Sequence, residues 1–517
     1  MSAPVLGIDL GTRNALSAVA QAGKGVVLIP SRWGGFRTPS VSAWTSGGWL
    51  AGEDAARSEI KNPSTTWWDI KRKLGTTWRG RCGRGHCTPE DVLAPLMILL
   101  REDAEACLGE FVSSCVLTVP ASFSFTERAA AGRVARSAGF SAVRVINEPT
   151  AAALAFGASG KFLVLDYGAG TVDVSVVESE GEVWQVLEST GIPASGGRDF
   201  DVALARRLSS RMGATDLDEN SPLFRTLLAE AEELKIMLSS CTACEWTPPA
   251  GVCSAPIRVA RPELEELIRP SIEKVNTAVL RLWRKHRPDR LLLVGGGSRI
   301  PLLRQMLEER VARPDHLNLC PDETVVTGAA LYGAMPDKGR LLLDVLSQDL
   351  GILAADGTPA PLLERGAYLP ARAERRFLSV GDGPFTITVF QGSGSRRRVI
   401  ASLKVQEARK DEEIALSFTV DSDGLLKIDI IRSDGRITSI EPLELGEEPR
   451  SASSEIPAEI RDLERRFALM SVSLSPAQQE RGAAVLRMAR TLGTGEYYQA
   501  GIEALERMLS EMERVVG

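Results

Sequence analysis

The chain lacks the excess of positive charge that marks a nucleic-acid binder: its formal net charge is −6, so no polyanion is expected as its main partner. No apolar run approaches the ~20 residues of a membrane span, and Met1-Ser2-Ala3-Pro4 runs straight into an apolar segment without a signal peptide. The expected address is the cytoplasm, with no membrane partner. Cysteine is sparse, eight in 517 residues, which excludes a disulfide framework and leaves the thiols reduced. Two clusters, Cys82 and Cys87 with His86 between them, and Cys241, Cys244 and Cys253, each offer three zinc ligands but no fourth at finger spacing. Free thiols in loops are expected at both, the first in an exposed basic loop with Arg79, Arg81 and Arg84. The P-loop pattern G-x-x-x-x-G-K-S/T is missing as well. What remains, 44% hydrophobic and 25% charged, is ordinary for a soluble globular protein with room for about three or four domains.

What the sequence does contain is a repeated acidic, glycine-bearing turn. Asp9-Leu10-Gly11-Thr12 and Asp166-Tyr167-Gly168-Ala169-Gly170-Thr171 each stand between apolar strand-like runs, so each is expected at the tip of a β-hairpin. Glycines let the backbone approach an anion closely and present successive N–H groups to it. Threonine adds a hydroxyl donor. The aspartates at the strand ends would face the same space and could hold a hydrated Mg²⁺, which keeps several of its waters. Two such turns can clamp one triphosphate between two lobes. Both lead into strands and not helices, which separates them from a Rossmann fingerprint.

By pattern the chain divides into four regions. Residues 1–338 mix strands with helical periods at Glu90 to Leu108, Thr126 to Ala138, Phe224 to Leu238 and Arg261 to Lys285. Residues 339–344, ending in Leu341, Leu342, Leu343 and Asp344, form a short apolar segment. Residues 345–446 alternate as an antiparallel β domain, and residues 452–517 return to helical spacing.

The motifs Gly7-Ile8-Asp9-Leu10-Gly11-Thr12, Leu117-Thr118-Val119-Pro120-Ala121, Asn147-Glu148-Pro149-Thr150-Ala151-Ala152-Ala153, Asp166 to Val174 and Leu293-Val294-Gly295-Gly296-Gly297-Ser298-Arg299-Ile300-Pro301 occur in this order. In this the chain resembles the seventy-kilodalton heat-shock chaperone family, DnaK-type, over essentially its whole length. The resemblance implies an α/β actin-like ATPase domain, an interdomain linker, an antiparallel β-sandwich that binds peptide and a short α-helical lid. It implies ATP or ADP with Mg²⁺ as cofactors, and K⁺ as the candidate monovalent cation. Lys71 matches the catalytic lysine and Glu148 the active-site glutamate, with Asp9, Asp166, Asp173 and Thr171 completing the catalytic set and Asp9 and Asp166 nearest the metal. Gly11, Thr12, Arg13, Gly168, Ala169, Gly170, Gly196 and Gly197 match the phosphate side. Glu232, Lys235, Ser239, Gly295, Gly296, Gly297, Ser298, Arg299 and Asp322 match the adenosine side.

Several positions depart from the family. Ile236 stands where an arginine stacks on adenine, Ala169 replaces the middle glycine of the second loop, Arg13 replaces a threonine and Arg198 replaces an acid. Each is expected to alter affinity or hydrolysis rate. Ile352, Phe377, Phe385 and Ile387 match peptide-pocket positions, with Phe385 in place of the usual valine and Ala355 in place of methionine. Pro120, Arg128 and residues 341–344 match the allosteric relay and linker. Partners implied are unfolded or extended peptide segments, a J-domain co-chaperone and a nucleotide exchange factor, although the region after Ser240 is compressed. An ATP-driven peptide-binding chaperone is the favoured reading. A nucleotide-gated scaffold with little turnover is the alternative, and the β domain and linker weigh against a sugar-kinase-like enzyme.

Overall fold

The computed structural model describes residues 4–440, apart from 22, 60, 84, 158, 181–182, 215–216, 220, 250–255, 316–319, 336–340, 344, 347, 355–356, 380 and 395–396. The expected helical lid, 452–517, Asp344, Ala355, Cys253 and Arg84 therefore lie outside the described residues.

Two sheets of the same plan organise the first half. In one, Val5–Leu10 turns back antiparallel onto Asn14–Gln21 and lies parallel to Ser114–Val119, which continues to Ala142–Asn147. In the other, Gly160–Tyr167 turns back antiparallel onto Val172–Glu180 and lies parallel to Arg290–Val294. Both acidic turns are thus hairpin tips, each flanked by a parallel strand brought in by a crossover. The strands are apolar along nearly their whole length because helices cover them: Leu6 and Ile8, and Leu163 to Leu165, are fully buried.

Local signals set the covering helices. Pro89–Leu108 and Phe125–Ser137 begin with reciprocal capping boxes, Thr88 with Asp91 and Ser124 with Glu127, which satisfy backbone donors left free at a helix start. Pro222–Ser240 starts from Ser221, which accepts from the Phe224 amide. Its Phe224, Leu227, Ala231, Leu234 and Leu238 recur at helical spacing and pack with Ile268, Ile272 and Val275 of Arg261–His286. Truncating one of these leucines to alanine typically costs about 2–5 kcal/mol. The alanine-rich Glu148–Phe156 helix lies so close to Thr324–Ala334 that a Cβ on Gly328 would collide with the Ala151 backbone. Glycine is required there by the approach of the two backbones.

A small sheet of Val41–Thr45, Gly48–Ala51 and Thr66–Trp68 leads into the segment that carries Lys71. Its tryptophans pack edge to face, Trp44 on Trp49 at 5.2 Å and Trp67 on Trp78 at 6.3 Å between ring centroids. The expected basic loop beside them is instead a two-stranded hairpin, Gly80–Cys82 with Gly85–Cys87. Cys87 is buried against the first core, where the Gly80 backbone leaves room for its sulfur and the Trp67 and Trp78 rings. Cys82, Cys87, Cys241 and Cys244 are free thiols as expected, but of these only Cys241, in the bend that follows the Pro222–Ser240 helix, lies outside a strand, Cys244 being in Ala243–Trp246.

Contacts divide the chain into two units. The first holds residues 1–347 with 366–371 and 420–426, and the second holds 348–365, 372–419 and the strands from 427 on. In the first, Leu341–Leu343 is an edge strand parallel to Val183–Gly191, with Val183 opposite Leu341 and Gln185 opposite Leu343. The β region forms two four-stranded sheets. One runs Pro359–Leu363, Leu350–Leu353, Gly383–Gln391, Arg398–Ala408, and the other Ala371–Leu378, Glu413–Val420, Leu426–Arg432, Ile437–Ile440. Leu350, Val389, Leu403, Leu416, Phe418 and Ile428 are buried at alternate strand positions, as a sandwich core demands. No helix among the described residues is long and apolar enough to cross a membrane.

Candidate functional site

The register of the second hairpin places Asp166 directly opposite Asp173, and that of the first places Asp9 opposite Leu16 and beside Thr118. Like charges facing each other across paired strands are destabilising, so this arrangement calls for positive charge nearby. Lys71 supplies part of it. Its turn, Ile70–Lys73, is anchored in the first core by Ile70 and Leu74. Lys71 itself is only 6% exposed, with Nζ 2.8 Å from Oε1 of the equally buried Glu148. Burial opposes its charge, but Glu148 and Asp9 outweigh burial and hold its pKa above the ordinary value. The Thr118 hydroxyl donates to Asp9 Oδ1 at 3.0 Å.

One ammonium does not balance four acids. Burial, then Glu148, pushes Asp9 up to about 7, and the same causes in the same order push Asp173 up to about 7. Asp166 is held well above its ordinary value by burial and by Glu148, Asp9 and Asp173. Buried carboxyls that repel one another in this way mark a candidate functional site. Among the described residues no three such groups converge to hold a metal ion by themselves.

The expected phosphate side brings glycines into close contact. A Cβ on Gly170 would collide with the Thr12 side chain, so the two hairpin tips meet. Gly168 N donates to Thr171 O at 3.0 Å and closes the second tip. Gly197 N donates to Gly168 O at 3.1 Å and Arg198 N to Ala169 O at 2.8 Å, which brings the Gly196-Gly197 loop onto the same tip. Ala169 is not among the residues with positive φ, so its backbone conformation does not require the glycine it replaces. Its methyl is only half-buried.

Of the residues expected on the adenosine side, Glu232, Lys235 and Ser239 share one face of the Pro222–Ser240 helix, and the structure shows what each touches. Glu232 pairs with Arg13 from the first tip, whose guanidinium lies over Trp68 at 4.2 Å from the ring centroid. Burial opposes Glu232's charge, but Arg13 outweighs it and holds the carboxyl below its usual value. Lys235 Nζ is 2.6 Å from Asp201 Oδ1 and donates to Gly197 O at 3.1 Å. Ser239 Oγ donates to the Lys235 carbonyl. Arg299 meets Asp322 at 3.0 Å, with Arg37 on the same carboxylate. Gly296 lies against Asp322, and Ser298 is fully buried in the Gly296–Arg299 turn. Ile236 is 60% exposed. Sequence reasoning missed Thr118, Arg37, Trp68, Asp69 and Asp201. Thr118 falls inside a motif already singled out, whereas the others had no local signal.

Pro120 ends the Ser114–Val119 strand, and Arg128 is buried in the Phe125–Ser137 helix with its guanidinium on Asn147, not solvated. In the β region, Phe377 and Phe385 face each other edge to face at 6.4 Å, one from each sheet. Ile352 is half-buried, and Ile387 is enclosed at 5% exposure.

The family model described as "Hsp70 protein" matches residues 5–84 and 79–465. The chain is 32% identical over 459 residues to "Chaperone protein DnaK" of Thermoplasma acidophilum, covering 82% of this chain and 75% of that protein. With two hairpin-tipped sheets enclosing the site and a β-sandwich after them, the chain belongs to the Hsp70 family of chaperones, with an actin-like ATPase domain followed by a β-sandwich.

Proposed function

We propose that this chain hydrolyses ATP and uses the cycle to control the binding of extended apolar peptide segments. The observation that carries the reading is the buried Lys71–Glu148 pair, with Asp9, Asp166 and Asp173 from the two hairpins beside it. Asp9 and Asp166 would hold Mg²⁺ through its waters, and the ion supplies charge neutralisation at the phosphate oxygens. The backbone amides of Gly11 to Arg13, Gly168 to Thr171 and Gly196-Gly197 cradle the phosphates. Lys71 orients the attacking water and stabilises charge on the γ-phosphoryl group, and Glu148 and Asp173 order the surrounding waters. Arg299 and Asp322 close the adenine side opposite Glu232, Lys235 and Ser239. Residues 1–338, 339–344, 345–446 and 452–517 serve as ATPase domain, linker, peptide-binding sandwich and lid. Peptide enters by Ile352, Phe377, Phe385 and Ile387, and a J-domain protein and an exchange factor assist.

Peptide affinity measured with ATP and with ADP tests the coupling, which in allosteric proteins amounts to about 5–150-fold. We expect weaker binding with ATP, and a variant Leu342→Asp, which places a poor strand former in the linker strand, to bring the ratio close to one. Equal affinities in the wild type would overturn the coupling. A second reading, nucleotide-gated binding with little turnover, is favoured by exposed Ile236, which cannot make a cation–π contact with the base. Ile236→Arg should tighten ADP binding by about twofold to fivefold, the size of an exposed cation–π contact, as measured by calorimetry. No change would show that the base does not lie against this residue.

A further inference from the structure

Arg198 occupies the first turn of the Gly197–Arg211 helix, where the partial positive charge of the helix end disfavours a cation. Its Nε lies 2.9 Å from Oδ2 of Asp69, and both side chains are largely enclosed, at 16% and 19% exposure. Asp69 immediately precedes the Ile70–Lys73 turn and has φ 56°, a left-handed conformation that aspartate and asparagine tolerate better than most residues. A second pair of opposite polarity joins the same two elements: Arg72 Nη2 is 3.8 Å from Asp199 Oδ1. The two elements belong to different cores, Ile70 and Leu74 to that of the first sheet, Phe200 and Leu204 to that of the second. The backbone extends the connection, since Arg198 N donates to Ala169 O and Asp199 Oδ2 accepts from Gly196 N.

We propose that Arg198 is a positioning residue: through Asp69, and with Arg72–Asp199 as a second tie, it clasps the turn that carries Lys71 to the glycine loops of the opposite sheet. Lys71 reaches its working place only when the two halves of the site are together, and the clasp couples that placement to retention of nucleotide. An acid at position 198, as the family pattern has it, would face Asp69 with like charge, so the clasp depends on this substitution. The proposal rests on the ATPase reading above.

The test compares Arg198→Ala, Arg198→Lys, Asp69→Asn and the double variant Arg198→Ala/Asp69→Asn in the full chain. Asparagine keeps the tolerance for left-handed φ and removes the charge. Single-turnover hydrolysis of bound ATP should slow by about tenfold in each single variant, because a misplaced catalytic group is costly. Release of fluorescent ADP should speed up by about threefold to tenfold and lose part of its salt dependence. The double variant should be no worse than either single one, the signature of one shared interaction. Arg198→Lys should recover most of both rates. Without nucleotide, amide hydrogen exchange in residues 66–74 should rise in Arg198→Ala. Rates unchanged to within about twofold, or fully additive losses in the double variant, would overturn the clasp. Should the wild type hydrolyse no ATP, the ATPase reading fails by itself. The clasp then stands or falls on ADP release and exchange, and unchanged exchange in Arg198→Ala refutes it.

Discussion

Replacing Lys71 by alanine should lower the steady-state rate of ATP hydrolysis by about 10²–10³-fold, the usual cost of removing a preorganised charge that meets the transition state. Lys71 stays charged in spite of burial because Glu148 and Asp9 outweigh the desolvation penalty, so in the proposed reaction it would offer a fixed cation to the γ-phosphoryl oxygens without reorganisation. ADP affinity should change far less than the rate, since the ammonium is positioned for charge that develops during the reaction. Removing it leaves Glu148 buried without its cation, and breaking a buried pair typically costs about 3–5 kcal/mol of stability. For that reason Lys71→Met/Glu148→Gln, which removes both charges, should be measured beside it. The double variant should regain thermal stability while remaining slow. Hydrolysis within about threefold of wild type in Lys71→Ala, with ADP binding intact, would remove this lysine from the mechanism.

Much of this site was legible before the structure. Turns such as Asp9 to Thr12 are local, because glycine and flanking apolar alternation are enough to set a hairpin tip, and the helices announced themselves by their apolar period, while their caps at Thr88, Ser124 and Ser221 are seen in the structure. The acids and Lys71 were legible only through motif resemblance, since nothing local distinguishes Lys71 from Lys73. What was not legible depends on tertiary pairing. Arg13 and Glu232 are 219 positions apart, and no periodicity can forecast that an arginine in one tip will meet a carboxylate on a distant helix. Arg13 and Arg198 could be read only as departures expected to alter affinity or hydrolysis rate, and the structure adds that both make ion pairs, Arg13 with Glu232 and Arg198 with Asp69. The segment at Cys82 to Cys87 is exposed at Arg79, Arg81 and His86 as expected, but it is a hairpin and not a loop, with Gly80 leaving space for tryptophan rings and the buried Cys87 sulfur.

Raising pH from about 5.5 to about 8 should destabilise the nucleotide-free protein and enlarge the stabilisation given by Mg²⁺ and ADP. Asp9 and Asp173 are held up to about 7 in the folded chain, first by burial and then by Glu148, against an ordinary value of 3.8. The folded state therefore binds more protons than the unfolded state between these values. The stability contributed by the neutral acids is full below about 4 and lost as pH rises through about 7. A carboxyl that titrates one pH unit higher in the folded chain than in the unfolded chain contributes about 1.4 kcal/mol. Because the acids share one site and titrate together, a total of a few kcal/mol is the reasonable scale. Carboxylates held low act elsewhere: Glu188, where hydrogen bonds from His286 and Lys285 outweigh burial, sits at about 2, well below this window. A cation bound with nucleotide would add positive charge beside these acids, so the gain in melting temperature should be larger at pH ~8 than at pH ~6. Thermal melts across this range, with and without Mg²⁺ and ADP, measure both slopes, and Asp173→Asn should flatten the nucleotide-free one. A nucleotide-free stability that stays level or rises from pH ~6 to ~8 would mean that these acids are already compensated by groups of the chain itself. Their claim on a cation would then be lost.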